Sequence, residues 1–445
     1  MQILIHIFLA IIWVIVSTSK LKIHPLISLI VASVWVGLGS GMGFVQSLDE
    51  FSKGFGSLIG QVGLIIILGS VFGVLLEKSY AAVAISHALW ARFGKKFPSL
   101  STSFMGAVVG IPVFCDSGFI LLNPIGRSLS KTSGFSPLTF SLSLAGGLYM
   151  SHILIPPTPG PLAVSGIFGM EQNLGLVLLI GLAIAIPVIL VTAWWAGKFK
   201  KKFPESFQEK IESQKQNLKI KVSFFWSITV IAIPLMLITI GNLTFFFSNE
   251  LLLSFLLICG NPLVAIGAGL LVGFITLKQS ISESNLFSIS FTEGIKIAGP
   301  ILVLTGAGAG FGAILKLLNL DLIFQEFNFN SDSGMVWLLI CFGLAAFLKT
   351  AQGSSTSAMI IAASIALSVI PSGMLENQVY TALCISVIGA GAMTVSHAND
   401  SYFWIVKEFT GLTVKEALQS YTVLTALMGF TALLTVLVFY WILKL

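Results

Sequence analysis

The sequence predicts an all-α polytopic membrane protein made of two inverted-topology repeats, each with about five crossings, one re-entrant helical hairpin and one broken transmembrane helix. Three observations carry this reading. Of 445 residues, 56% are hydrophobic and only 9% charged, against roughly 25% charged in a soluble domain, and the mean hydropathy is +0.98. A Ser-His pair interrupts a membrane-length apolar segment twice, at Ser151-His152 and Ser396-His397, each time downstream of another interrupted apolar segment. Each half also has an odd number of crossings, which turns the second half upside down relative to the first. Polar, unwound backbone at matching places in two such halves points to the binding site of a transporter.

At about 20 apolar residues per crossing, the first repeat (1–196) supplies spans near 2–18, 23–43, 59–77, 137–168 and 174–196. The second (223–445) supplies 223–241, 250–277, 292–318, 378–410 and 417–441. Residues 3–16 imitate a signal-peptide core, but no basic stretch precedes them and no small-x-small site follows before Lys20, so they read as a retained span. Between the repeats, 197–222 carries eight lysines against three glutamates, the mark of a cytoplasmic loop. With that loop inside, Lys20, Lys22, Arg92, Lys95, Lys96, Arg127 and Lys131 also fall inside. Asp49, Glu50, Glu171, Glu250, Asp321, Glu326 and Asp332 fall outside, and both termini are periplasmic. The orientation suits a bacterial cytoplasmic (inner) membrane.

Residues 102–130 and 335–370 do not fit the span template. Each has two apolar arms of about 11–14 residues around a polar tip, reaching roughly 16–21 Å, short of a ~30 Å hydrocarbon core. They read as re-entrant hairpins, whose irregular backbone survives at membrane depth only inside protein or along a wet cavity. Residues 44–58 and 80–93 read as interfacial amphipathic pieces, with His87 facing the interface. Glu77 and Glu408 fall at segment ends and read as interfacial too. The series Gly306, Gly308, Gly310 and Gly312 reads as close helix packing rather than a nucleotide loop.

Asp116 sits at the tip of the first hairpin beside Ser117, where an unpaired carboxylate is costly; it either serves function or caps the following helix. In the second hairpin, Gln352, Gly353, Ser354, Ser355 and Thr356 place hydroxyls and free N–H groups at a helix start. That arrangement suits a carboxylate substrate, or else forms a self-satisfied N-cap. Lys349 either balances the bound anion or snorkels to water. His152 and His397 each precede a helix break and are structural hydrogen-bonding groups or proton carriers. Asn399 and Asp400 add oxygen donors in the second break, and the run from Pro156 to Pro161 forces the first crossing helix open.

These motifs resemble those of the gluconate permease family, the gluconate:proton symporters (GntP-type) of the ion-transporter superfamily. The resemblance runs from about Gly69 to Ser420 through GIPVFCDSGFILL (110–122), SHILIPPTPGPLAV (151–164), AQGSSTSAM (351–359) and SHANDSYFWIVKEFTGL (396–412). It implies secondary active import of a small hydroxylated carboxylate such as gluconate or glycerate, driven by protons, and points to Asp116, His152, Gln352, Ser354, Thr356, His397, Asn399 and Asp400. Family members resemble PPHPGP in the first break, where this chain has Thr158. Ser355 and Ser357 stand where Ala and an apolar residue are usual.

The expected function is therefore proton symport of a sugar acid, with a sodium-coupled carboxylate or D-serine symporter as the alternative and a passive anion channel as a further option. The candidate proton carriers are Asp116, His152, His397 and Asp400. No G-x-S-x-G, H-E-x-x-H or G-x-G-D is present, so the reading is not an enzyme. The expected partners are a small carboxylate and the lipid bilayer, with a homodimer as the assembly and no nucleic acid. No cofactor and no metal are expected, the proton-motive force being the energy source. The four cysteines lack paired spacing and read as small buried residues, Cys115 being notable for its place before Asp116.

Overall fold

The computed structural model of the protein describes residues 2–94, 96–133, 136–199, 222–241, 250–277, 285–318 and 334–443, and all regular structure among them is helical. The first half contains α1 (Gln2–Ser19), α2 (Pro25–Gly39), α3 (Phe44–Lys78), α4 (Ala81–Leu89), α5 (Pro98–Gly110), α6 (Cys115–Ser133), α7 (Pro137–Leu154), α8 (Pro159–Ile167) and α9 (Leu174–Ala196). The second contains α10 (Phe224–Gly241), α11 (Glu250–Gly260), α12 (Pro262–Leu277), α13 (Leu286–Lys316), α14 (Gly334–Gln352) and α15 (Ser355–Val369). It closes with α16 (Ser372–Leu375), α17 (Gln378–Met393), α18 (Ser401–Thr410), α19 (Val414–Ala417) and α20 (Val423–Leu443). Seven helical segments among the described residues are long and apolar enough to cross a membrane, α7–α8 counting as one, and α11 with α12, bent by 66° at their junction, pass the same test as a pair. Most of the 197–222 loop, and Lys95, Asp321, Glu326 and Asp332, lie outside the described residues, as do the side chains of Arg127, Lys131 and Glu250.

Both segments form helical hairpins, α5–α6 and α14–α15, but the expectation of arms too short to cross does not hold for α14, which is long and apolar enough to cross a membrane by itself. Their arms are longer than the sequence reading allowed: α6 and α14 each run 19 residues. Polar residues at the inner ends, Asp116 to Asn123 and Lys349 to Gln352, stay helical because they find protein partners, so an apolar count undercounts the arm. Both broken helices form too, as α7–α8 and α17–α18. α7 lies almost wholly inside the protein, Phe140, Leu144, Ala145, Leu148 and Met150 all being 0% exposed. Lipid instead meets the outer helices, where Phe225, Leu271, Phe287 and Trp441 are exposed. Apolar side chains on that rim need no protein cover, since lipid tails are as apolar as they are.

Two interfacial assignments are corrected. Residues 44–58 are the first part of a continuous 35-residue α3, and the face taken for a membrane-surface face carries Phe51 and Phe55 onto Gly310 and Gly306 of α13. Gly308, on another face of α13, meets Ser364 and Ile360 of α15, so three glycines of that series serve close packing, whereas Gly312 has open space. α4 is also no surface helix: residues 81–86 are buried against α3, α5, α6 and α10. Only His87 on its last turn is exposed.

The two broken helices are partnered in the same way. The first arm of each packs on the first arm of its own half's hairpin, α7 on α5 and α17 on α14; the second arm packs on the other half's hairpin, α8 on α15 and α18 on α6. Gly147 on α7 faces the Ser103 carbonyl of α5, and Gly391 on α17 faces the Phe342 carbonyl of α14, neither with room for a Cβ. Asn123 of α6 donates to the Phe409 carbonyl of α18 (3.2 Å) and accepts from the Ser141 hydroxyl of α7 (2.5 Å). Both hairpin tips are thereby held beside both breaks.

Candidate functional site

At the first tip, α5 ends at Gly110 and the chain turns through Pro112 before α6 begins at Cys115. The Pro112 carbonyl rests against Gly73 of α3, where a Cβ would not fit. Asp116 lies in the first turn of α6, half-buried, with the Cys115 thiol 3.7 Å from its Oδ1. It also lies within electrostatic reach of Asp400 and Lys349. Next to it, the Ser117 hydroxyl approaches Glu77, which is half-buried at the end of α3.

In the first break, α7 ends at Leu154 and α8 begins at Pro159, whose fixed φ and missing N–H suit a helix start. Thr158 is 4% exposed and donates its hydroxyl to the Ile155 carbonyl at 2.6 Å, so it is satisfied within the break. His152 lies tilted against Phe114, with ring centroids 5.8 Å apart at 54°, and lines a narrow crevice with Gly69, Pro112, Pro157 and Thr158. Its Nδ1 is buried and has no hydrogen-bond partner among the described residues.

The second tip and second break form one polar unit. Lys349, 1% exposed, donates its ammonium to Asp400 Oδ2 (2.6 Å) and to the Gly353 carbonyl (2.5 Å), with the Tyr149 ring 5.9 Å away. Asp400, 4% exposed, accepts further bonds from the Ser396 hydroxyl and from the Tyr402 N–H (3.1 Å), the latter capping α18. Lys349 therefore does not snorkel. Gly353 has φ +85°, and its α-carbon lies against the Asn399 carbonyl with no space for a Cβ. Asn399 Nδ2 donates to the Thr350 carbonyl (2.7 Å), and His397 Nε2 lies 3.0 Å from that same oxygen.

Gln352 donates to the Thr18 hydroxyl of α1 at 2.9 Å, while Gln352 Oε1 and Asn399 Oδ1 are buried without partners among the described residues. Ser354, exposed, caps α15 by accepting from the Ser357 N–H (3.3 Å), and Ser355 bonds the Tyr149 hydroxyl at 2.7 Å. A Cβ on Gly160 would lie 3.9 Å from Thr356 Oγ1, so the start of α8 faces the second tip. Asp116, Lys349, Gly353, Ser355 and Asp400 thus converge. Gln352, His397 and Asn399 form an adjoining layer, and His152 sits apart in its crevice.

The two Ser-His pairs are not equivalent. Ser151 and His152 lie inside the last turn of α7, with the Ser151 hydroxyl bonded to the Ala107 carbonyl of α5 (2.6 Å). α17 stops at Met393, before the second pair, because Val395 takes φ +55° and the Ser396 N–H turns aside to Thr425 (3.0 Å). Sequence reasoning missed Tyr149, Tyr402, Thr18 and the partnership of Ser396 with Asp400. A tyrosine in the middle of an apolar span is a usable signal, since its buried hydroxyl must find a partner. Tyr149→Phe leaves Ser355 short of that bond and is expected to cost about 1 kcal/mol of stability, read by thermal unfolding in detergent, while weakening solute affinity.

Helical hairpins and broken helices that meet at charged groups inside a bundle of membrane-length helices are the architecture of a membrane transporter. Comparison with known proteins makes the class specific. The chain belongs to the GntP permease family: the model of the GntP family permease matches residues 1–442. It is 29% identical to the gluconate permease of Pseudomonas aeruginosa over 98% of this chain and 96% of that one. It is 31% identical to the Gnt-II system L-idonate transporter of Escherichia coli over 94% of each. The crystal structure of the YdaH transporter of Alcanivorax borkumensis shares the fold, with a TM-score of 0.62 at 14% identity over 90% of this chain and 89% of that one. The protein is a multi-pass protein of the bacterial inner membrane and acts on a small-molecule substrate.

Proposed function

We propose that this permease imports a small hydroxylated carboxylate, gluconate or a related sugar acid such as idonate or glycerate, by proton symport. The observation that carries the reading is the second tip: a capped helix start bearing Ser354, Ser355 and Thr356, turned toward α8, with Lys349 at its base in electrostatic reach of Asp116. Helix N-terminal N–H groups and hydroxyls favour a carboxylate. The orphaned oxygens Gln352 Oε1 and Asn399 Oδ1 are acceptors awaiting donors, which substrate hydroxyls supply. The names of the gluconate and idonate relatives support the same substrate class.

In this reading Ser354, Ser355, Thr356 and the Asp116-Ser117 backbone hold the carboxylate, and Gln352, His397 and Asn399 face the hydroxyls. His152 lines the approach through its crevice. Lys349 and Gly353 shape the tip, and Lys349 offsets the anion's charge through space. The matched partnering of α7–α8 and α17–α18 supports residues 1–196 and 223–445 as inverted repeats joined by the basic 197–222 loop. No cofactor takes part, the proton-motive force supplying the energy, and the working assembly is a homodimer.

Purified protein in proteoliposomes, given labelled gluconate, idonate, glycerate and D-serine with and without an inward proton gradient, tests this. Uptake of a sugar acid is expected to rise with the gradient and to be indifferent to replacing sodium by choline. Gradient-independent uptake removes symport, and a sodium requirement moves the coupling to that ion.

A further inference from the structure

The site holds two intramembrane carboxylates whose surroundings differ in kind. Asp400 is saturated: the Lys349 ammonium, the Ser396 hydroxyl and the Tyr402 N–H all donate to it, and the ammonium is itself bound to the Gly353 carbonyl. Both members of that pair are buried, at 1% and 4% exposure. Protonating Asp400 would leave a buried ammonium with no anion, a state far costlier than the pair. Among the described residues no cation is bonded to Asp116, and its one direct side-chain donor is the Cys115 thiol, at 3.7 Å.

The titratable groups that act on Asp116 come from several elements. They are Cys115 on α6, Lys349 on α14, Asp400 in the second break, Tyr149 on α7 and Tyr402 on α18. Glu77 of α3 reaches the neighbouring Ser117, and beyond it Lys78 pairs with Glu293 at 2.9 Å. Protonating Asp116 breaks no ion pair among the described residues.

Resting on the symport reading above, we propose that Asp116 carries the coupling proton while Asp400 stays ionised as the fixed partner of Lys349. The charge count of the site explains how this couples two solutes. With Asp116 ionised and no substrate, Asp116, Asp400 and Lys349 sum to one negative charge. With Asp116 protonated and a carboxylate bound, the sum is again one negative charge. The two half-loaded forms differ from this by one charge in opposite directions, and the form with substrate but no proton packs two unpaired anions into one low-dielectric site. Anion binding therefore favours protonation of Asp116, and by linkage protonation favours anion binding to the same degree. The proton passes from water on one face to an Asp116 oxygen and returns to water on the other, with no covalent step.

The test uses the full-length protein in proteoliposomes, comparing wild type, Asp116→Asn and Asp116→Glu, which keeps a titratable carboxyl. One unit of pH gradient is worth about tenfold in an equilibrium, so wild type is expected to accumulate labelled gluconate by up to about that factor. Asp116→Asn, which fixes the site in its neutral form, is expected to show no accumulation and no substrate-linked proton flux. To keep the outcome readable if Asp116→Asn transports nothing, infrared difference spectra of gluconate binding are recorded as well. The protonated-carboxyl C=O band that appears with substrate in wild type is expected to vanish in Asp116→Asn and to persist, shifted in frequency, in Asp116→Glu.

Accumulation by Asp116→Asn, or persistence of the band in that variant, overturns the assignment. A wild type that takes up gluconate with no response to the gradient overturns the symport reading itself, and the two failures are thus told apart.

Discussion

Lys349→Met is expected to destabilise the folded protein by about 3–5 kcal/mol and to abolish transport, because it leaves the Asp400 carboxylate buried without its cation. The Ser396 hydroxyl and Tyr402 N–H that remain supply dipoles but no charge. Equilibrium unfolding in detergent measures the loss. Removing both charges, as Lys349→Met with Asp400→Leu, is expected to recover most of the stability, since buried pairs replaced by apolar residues of similar size are often neutral or better. It is not expected to recover transport, because the ammonium also holds the Gly353 carbonyl and thereby the shape of the tip. Equal destabilisation by the single and double variants would show that the pair is not held as described.

Gly353→Ala is the second large effect. At φ +85° any side chain is strained, by about 1–3 kcal/mol, and here the new Cβ would also strike the Asn399 carbonyl. The tip and the second break must then separate, moving Gln352 and Asn399 off their present positions. Uptake is expected to fall about tenfold or more, as each 1.4 kcal/mol lost from the productive geometry is tenfold in rate. Gly169→Ala is the control. It too has a positive φ, +69°, but open space around it, so it should lower the unfolding temperature slightly and leave uptake near normal.

The sequence made much of this fold legible, for reasons that lie in the membrane itself. Lipid forces backbone groups to pair within a segment, so hydropathy and breaks in it report directly on helices and on protein-buried irregularity. That logic located both hairpins, both breaks and the polar tips. It failed where protein rather than lipid or water covers a helix face, as at residues 44–58, where Phe51 and Phe55 lie on α13, and at buried α4.

Site residues followed a similar division. Asp116, Lys349, Gly353 and Asp400 stood out because charge or backbone freedom inside an apolar chain needs a reason. Their pairing did not, since Lys349 and Asp400 are 51 positions apart and nothing local binds them. The Ser-His repetition marked the right places with unequal meanings: one pair completes a helix, the other belongs to a loop whose path is set by Thr425 of α20 and, at the Ser396 carbonyl, by Thr422.

The exchanged partnering of the broken helices bears on how the chain is made. When the first half has been synthesised, α8 still lacks α15, and α6 still lacks the α18 surface that accepts the Asn123 amide and packs Tyr402 and Phe409 on Phe119. Those faces close only after the segment containing Ser401–Thr410 is inserted, close to the end of the chain. The two halves complete one unit together: neither has a finished interior until α15 and α18 are in place. A truncated or separately expressed half would hold its hairpin tip and polar break in lipid with half their partners missing.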